Sequence, residues 1–172
     1  SRRTGRFISA LGTTADPVKV NTSTTAGLVT VNAAGSVNIA ATYTGRTPFG
    51  AVSSPGNISI SGPGGASILD MRGSVNSSGG NLTTTGFGTT NLGATSADVF
   101  SAETLSFTGA GTSNIYLLGT LKPGRGGAIG TATFNNNVTF KTGSILEFDL
   151  NGNSTDVVTV AVTVLVGVGA GM

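Results

Sequence analysis

The sequence predicts an all-β protein whose short strands wind as the coils of a parallel β-helix, or β-solenoid, with a β-sandwich as the competing arrangement. Three observations predict it. From Gly119 to Val160 the chain alternates apolar and polar residues in short runs: Val138 and Phe140, then Leu146, Phe148 and Leu150, then Val158 and Val160. That two-residue period puts one set of side chains on a single face of each strand. Val138 to Val158 spans a lap of twenty positions, enough for three strands and three corners. Asn-Gly, the strongest two-residue hairpin signal, occurs once, at Asn151 and Gly152. The other breaks are longer and rich in Ser, Thr and Gly, which suits corners between parallel strands.

Taken in order, Val18 to Val20 and Leu28 to Val31 are short alternating runs separated by the Thr and Ser cluster at Asn21 to Gly27. Val37 and Ile39 follow. Ala41 to Gly56, with Tyr43, Arg46, Pro48, Phe49 and Pro55, breaks the rhythm and reads as a loop leaving the coil. Ile58 and Ile60 resume it until Gly62, Pro63, Gly64 and Gly65 interrupt. Ile68 to Met71, Leu82 to Thr85, Val99 to Phe100, Leu105 to Phe107 and Ile115 to Leu117 continue it, with Gly, Ser and Asn at the corners. No window carries a helical apolar stripe. The inward set over the last third is Phe134, Val138, Phe140, Leu146, Phe148, Leu150, Val158 and Val160, with Glu147 and Asp149 facing out.

Within the same stretch Gly119, Leu121, Pro123, Gly124, Ile129, Gly130, Phe134, Val138, Phe140, Gly143, Ser144, Leu146, Phe148, Asp149 and Asp156 fall in one register. That register resembles the autotransporter-associated β-strand repeat, also called the passenger-associated transport repeat, of bacterial surface proteins. The resemblance covers about a quarter of the chain in one copy. It implies an extracellular or cell-surface β-solenoid of bacterial origin and brings no catalytic residues.

Composition narrows the function classes. The 172 residues suffice for one domain, 1–172, with a short basic amino-terminal arm (1–12) holding Arg2, Arg3 and Arg6. There is no Cys, His or Trp, and charged residues make up 9%, so disulfides and histidine chemistry are excluded. A net charge of +2 gives a weak field and points to no nucleic-acid partner. No run approaches the ~20 apolar residues of a membrane helix.

Each chemical motif has a plainer account. Glu147 and Asp149 could pair as the two carboxylates of a glycoside hydrolase, but a tuned acid and base need positioning partners that the surrounding sequence lacks. DLNGNSTD, from Asp149 to Asp156, offers oxygen ligands yet lacks the spacing of a calcium loop, so its Asn and Asp read as turn caps. GRGGAIG, from Gly124 to Gly130, lacks a Gly-Lys-Ser/Thr ending and a following helix, so its glycines read as corners. Asn-x-Ser/Thr triplets at Asn21, Asn57, Asn76, Asn81, Asn137 and Asn153 follow from composition. No catalytic, metal or cofactor site is expected.

The carboxyl-terminal run Val157 to Val168 holds Val at 158, 160, 162, 164, 166 and 168 and no charge. Such a strand is a template for pairing with another chain. It reads as a further coil, a strand donated to a neighbouring subunit, or, least well supported, a barrel strand. Val158, Val160, Val162 and Val164 are the expected self-association residues. The functional expectation is a non-enzymatic structural or filament-forming solenoid, a homo-oligomer with an adhesive role toward a cell-surface or carbohydrate ligand. The alternative is a carbohydrate-active β-helix enzyme using Glu147 and Asp149 or the loop from Tyr43 to Phe49.

Overall fold

A computed structural model describes residues 10–22, 28–124, 128–151, 154–161 and 164–166. Among them there is no helix, and the strands wind into a three-faced β-solenoid of about six turns. The first face begins with β1 (Val18–Val20) and continues through β3 (Val37–Ala41), which pairs with it in parallel. Between them in sequence, β2 (Val29–Asn32) lies along β4 (Arg46–Ser54), a strand that turns from the second face onto the third. The next turn is β5 (Ile58–Ser61), β6 (Ile68–Met71) and β7 (Val75–Ser77), one strand per face. β8 (Leu82–Leu92) spans two faces, and β9 (Val99–Ala102) occupies the third. β10 (Thr104–Leu117) and β11 (Thr120–Pro123) repeat that division. β12 (Thr131–Phe134), β13 (Asn137–Phe140) and β14 (Ile145–Leu146) make the next turn. A small hairpin of β15 (Leu150–Asn151) and β16 (Ser154–Thr155) stands apart from the coil. β17 (Val157–Val160) and β18 (Val164–Val166) then lie in parallel on β12 and β13.

Parallel pairing throughout the coil rules out the sandwich. The antiparallel pair among the described residues is β15 with β16, Leu150 opposite Thr155, at the chain's one Asn-Gly. Lap length is not twenty over Val138 to Val158. Val138 pairs with Val164, and Val158 pairs with Ala132, each 26 positions away. The lap ranges from 20, Val29 to Phe49, to 27, Thr104 to Thr131. Corners absorb the difference. In β10 the register against β8 shifts between Thr108 and Asn114, so the surplus residues sit at the edge between two faces while both halves of the strand stay paired.

Inside, each inward position stacks on its equivalent one turn away. On the first face Val37, Ile58, Leu82, Leu105 and Ala132 form one buried column, and Ile39, Ile60, Thr84, Phe107 and Phe134 the next. The second face supplies Phe49, Met71, Leu92, Leu117 and Phe140, and the third supplies Val52, Val75, Phe100 and Leu121. Phe107 and Phe134 stack with centroids 5.1 Å apart, and Phe140 meets Phe134 edge-on at 6.0 Å. Offset stacking and edge contact are the favoured aromatic geometries. The core thus runs along the axis as a one-dimensional pile, each layer touching only its neighbours.

Two sequence expectations fail here. Ala41 to Gly56 is not a loop leaving the coil, because β4 fills most of it and buries Phe49 and Val52 completely. Pro48 is accommodated within the strand, where its lost N–H would ordinarily weaken the reading. Further on, Leu146, Phe148 and Leu150 do not share an inward face. Leu146 packs half-buried on the core, but Phe148 is 44% exposed and Leu150 80% exposed. The strand stops at Leu146, and the chain departs toward the hairpin, so the alternation there has no sheet to act on. Phe134→Ala should therefore cost about 3 to 5 kcal/mol by emptying a stacked aromatic site. Phe148→Ala should cost about 1 kcal/mol or less, as surface changes do. Denaturant unfolding of the two variants checks the assignment.

Candidate functional site

The candidate carboxylates lie on the third face and the excursion that follows it. Lys122 and Glu147 are outward neighbours on successive turns, since Leu121 pairs with Leu146, and their Nζ and Oε1 form an ion pair. That bond to Glu147 raises the Lys122 pKa above its ordinary value, with burial opposing it and the carboxylates of Glu147, Asp149 and Asp156 adding to it. Glu147 is exposed and committed to Lys122. Asp149 is half-buried, not outward as the sequence suggested, and its Oδ2 is buried without a hydrogen-bond partner. The two carboxylates therefore do not share one solvated strand face.

Asp156 is the structural centre of this region. It is 4% exposed, and its Oδ1 accepts the Gly130 N–H at 2.7 Å while its Oδ2 accepts the Asp149 N–H at 2.8 Å. Its own N–H donates to the Asp149 carbonyl at 3.1 Å. A carboxylate with both oxygens engaged by backbone donors clamps chain segments together. It ties the hairpin's two ends to each other and to the corner before β12. The reading of DLNGNSTD as turn caps holds for Asp156; Gly152 and Asn153 lie outside the described residues. Among the described residues no group of three or more His, Cys, Asp or Glu could hold a metal ion.

Next to this clamp a cleft of about 500 Å³ is lined by Glu103, Thr104, Ile129 and Thr131 with the backbone of Gly124 and Gly130. It holds one carboxylate, Glu103, which is exposed. Of GRGGAIG, residues 125–127 lie outside the described residues. Gly124 is a corner with φ +78°, and a Cβ there would collide with the Ala128 carbonyl. That is the corner role expected of it. In the stretch from Tyr43 to Phe49, Phe49 is core, and Arg46 joins Arg72 in holding Asp70, at 3.3 and 2.6 Å.

The self-association residues fall at the last turn. Val158 and Val160 are half-buried and pack on the core, Val164 is aligned with Val138 in β18, and Val162 lies outside the described residues. Of the basic arm, 1–9 lie outside them as well, while Leu11 bridges to Val37.

Sequence reasoning missed the corner side chains. Asn136, 6% exposed, accepts the Gly109 N–H at 2.6 Å and donates to the Gly111 carbonyl at 2.8 Å, fastening the β10 corner across one turn. Asp98 accepts the N–H groups of Ala94 and Thr95, both at 2.9 Å. Their only signal was position beside Gly and Thr clusters, which turn chemistry favours.

No protein-family model matches the chain. No curated protein and no solved structure matches it either.

Asp156→Ala should leave two N–H groups without acceptors and cost about 3 kcal/mol, within the range for hydrogen bonds to a charged group. Glu147→Ala should cost under about 1 kcal/mol, as exposed ion pairs do. Equilibrium unfolding of both variants checks the contrast. For the Lys122 pair the sign is fixed by a folded pKa raised above the unfolded one: its contribution is present through neutral pH and is lost as pH rises through and beyond the ordinary lysine range. Glu147→Gln should remove that alkaline component, measured as the difference in melting temperature between pH 8 and pH 11.

Proposed function

We propose that the chain is part of a non-enzymatic extracellular structural protein of bacteria, a rigid β-solenoid that associates end to end with copies of itself and serves adhesion at a cell surface. The observation that carries this reading is the outer edge of β17, which no described strand covers. Its Val157 N–H donates back to the Gly130 carbonyl and the Ala161 N–H to the Phe134 carbonyl. Alternate residues of a strand direct their backbone groups to opposite edges. The Val158 and Val160 groups therefore point away from β12, toward the place of a next coil. Among the described residues no strand pairs with that edge. A row of free N–H and C=O groups is satisfied by strand addition.

The extracellular, bacterial part of the proposal rests on the resemblance to the autotransporter-associated repeat. Of the residues that carry it, those from Gly119 through Phe140 lie along β11, β12 and β13, one lap of the coil, and those from Gly143 to Asp156 lie around β14 and the hairpin that follows. The non-enzymatic part is supported by the commitments of the acidic residues, Glu147 to Lys122 and Asp156 to backbone.

Val158→Pro tests the contact. Proline removes a donor that β17 does not use toward β12, and its fixed φ suits an edge strand. Assemblies of the wild-type chain, measured by light scattering and electron microscopy, should disperse in the variant while its circular dichroism stays β. Assemblies that persist unchanged, or a wild-type chain that is monomeric at all concentrations, would remove β17 as the contact.

A further inference from the structure

The first face begins and ends on strands that fit each other. Its parallel ladder runs from β1 through β3, β5, β8, β10 and β12 to β17 with no change of direction. Val20 offers its carbonyl to the Thr42 N–H, so the backbone groups of Val18 and Val20 face β3 and those of Lys19 face away from the coil. Among the described residues no strand pairs with that outer edge of β1. Side chains match as the backbone does. One inward column begins at Val18, opposite Ile39, and ends at Val160, opposite Phe134; Lys19, opposite Ala40, begins the outward column beside it, and Ala161, next after Val160, ends it. The described hydrophobic side chains that pack on the core yet stay half-buried belong to the end turns. They are Leu11, Val20, Val29 and Ala33 at one end and Leu146, Val158 and Val160 at the other.

Charge differs between the two ends. Residues 1–20 hold four basic side chains and one acidic, whereas residues 128–172 hold three acidic and one basic. Turns stack in chain order, so an asymmetry along the sequence becomes one along the axis. The arm with Arg2, Arg3 and Arg6 joins the coil at Ala10, just before Leu11 takes its place beside Val37 at the edge between the third and first faces. Glu147, Asp149 and Asp156 lie at the same edge of the last turn, between β14 and β17.

We propose that β17 of one copy pairs in parallel with β1 of the next, so that copies join head to tail and the amino-terminal turn is the surface that receives β17. This rests on the reading of β17 as a contact between copies and adds which surface it meets. Continuing the column register sets Val160 against Val18 and Ala161 against Lys19 of the next copy, with the Val160 carbonyl accepting the Lys19 N–H. The half-buried side chains of both ends are then covered together. Pairing β17 with a second β17, both cores on one side, would be antiparallel and would set acidic end against acidic end. Head-to-tail pairing sets acidic against basic, which speeds encounter and disfavours the like-ended contact. A contact between unlike surfaces that follows the rod's own axis does not close, so it generates filaments.

The chain has no Cys, so single cysteines report the contact. At concentrations where the wild type assembles, an equal mixture of Lys19→Cys and Ala161→Cys chains under mild oxidant should give disulfide-linked dimers on a non-reducing gel, because aligned residues of adjacent parallel strands lie within disulfide reach. Neither variant alone should exceed the level of the urea-unfolded mixture. The double variant Lys19→Cys, Ala161→Cys should give a ladder of higher multimers. Should Ala161→Cys fail to fold by circular dichroism, Thr159→Cys replaces it, with a short bismaleimide in place of the disulfide. Dimers from Ala161→Cys alone would overturn the head-to-tail pairing and leave β17 as a contact. Assemblies seen by light scattering in which the mixture does not cross-link would overturn β1 as the receiving edge. A wild-type chain that is monomeric at all concentrations would overturn this pairing together with the reading it rests on.

Discussion

The parallel backbone ladder between successive turns is the constraint from which the other features follow. Along the strands, each turn's N–H and C=O groups are satisfied by the turns before and after it, as when Val37 donates to Asn57 and Ile58 to Asn81. Registering the ladder also registers the side chains, because a slip of one residue would exchange inward and outward sets. Ile39 on Ile60 and Phe107 on Phe134 are stacked for that reason. The ladder never closes on itself, so an end coil always carries an unsatisfied edge. The backbone hydrogen bonding that builds the rod also creates its capacity to be extended.

Corners are where this backbone needs side-chain help. At a bend the ladder is interrupted, and buried N–H and C=O groups must find other partners. Ser54 and Ser77 supply them at one edge: the Ser54 hydroxyl donates to the Gly35 carbonyl at 2.6 Å, and the Ser77 hydroxyl to the Gly56 carbonyl at 2.8 Å. Asn136 and Asp156 do the same at others. Glycine contributes differently. Gly86 takes φ +74° within β8, and a Cβ there would meet the Gly62 carbonyl at 2.7 Å, so the strand can turn from one face to the next only without a side chain. The abundance of Ser, Asn and Gly in the sequence is largely the composition of these edges.

Much of the fold was legible because strands and corners use different alphabets. Ile58 with Ile60, Leu105 with Phe107, and Val138 with Phe140 each announce an inward pair, and all are buried. The antiparallel hairpin lies at the single Asn-Gly, a local signal that the alternation on either side of it outweighed in the sequence. What could not be read was which turn lies on which, since corner lengths vary and the alternation within a strand does not count the residues between strands. That is why periodicity alone sets Val138 against Val158 when its neighbour is Val164. Phe148 and Leu150 misled for a related reason: alternation predicts a face only where a sheet exists to define one. Pro48 and Tyr43 made Ala41 to Gly56 look irregular, yet Phe49 and Val52 were the residues to weigh. At the candidate site, the sequence placed Glu147 outward correctly but gave no sign that Asp156 would be the buried clamp, because one of its two backbone donors, the Gly130 N–H, lies 26 positions upstream.

Variation in lap length also determines which surfaces can be regular. Insertions accumulate at the edges, as in the Gly109 to Ser113 step of β10, and after β14, where the chain departs into the β15–β16 hairpin before β17. Face interiors are spared, since an inserted residue there would break the ladder on both sides at once. A face bordered by variable corners can still hold an unbroken two-dimensional array of side chains, and its chemistry can then be set independently of the core. On the third face that freedom holds Lys122 opposite Glu147; on the second it holds Asp70 between Arg46 and Arg72. Ion pairs of this kind knit neighbouring turns at their outer surface. Among the described residues the first face has no ion pair, so its turns are joined by the ladder, the inward columns and outward hydrogen bonds such as Ser61 to the Ile39 carbonyl and Asn135 to the Thr108 hydroxyl.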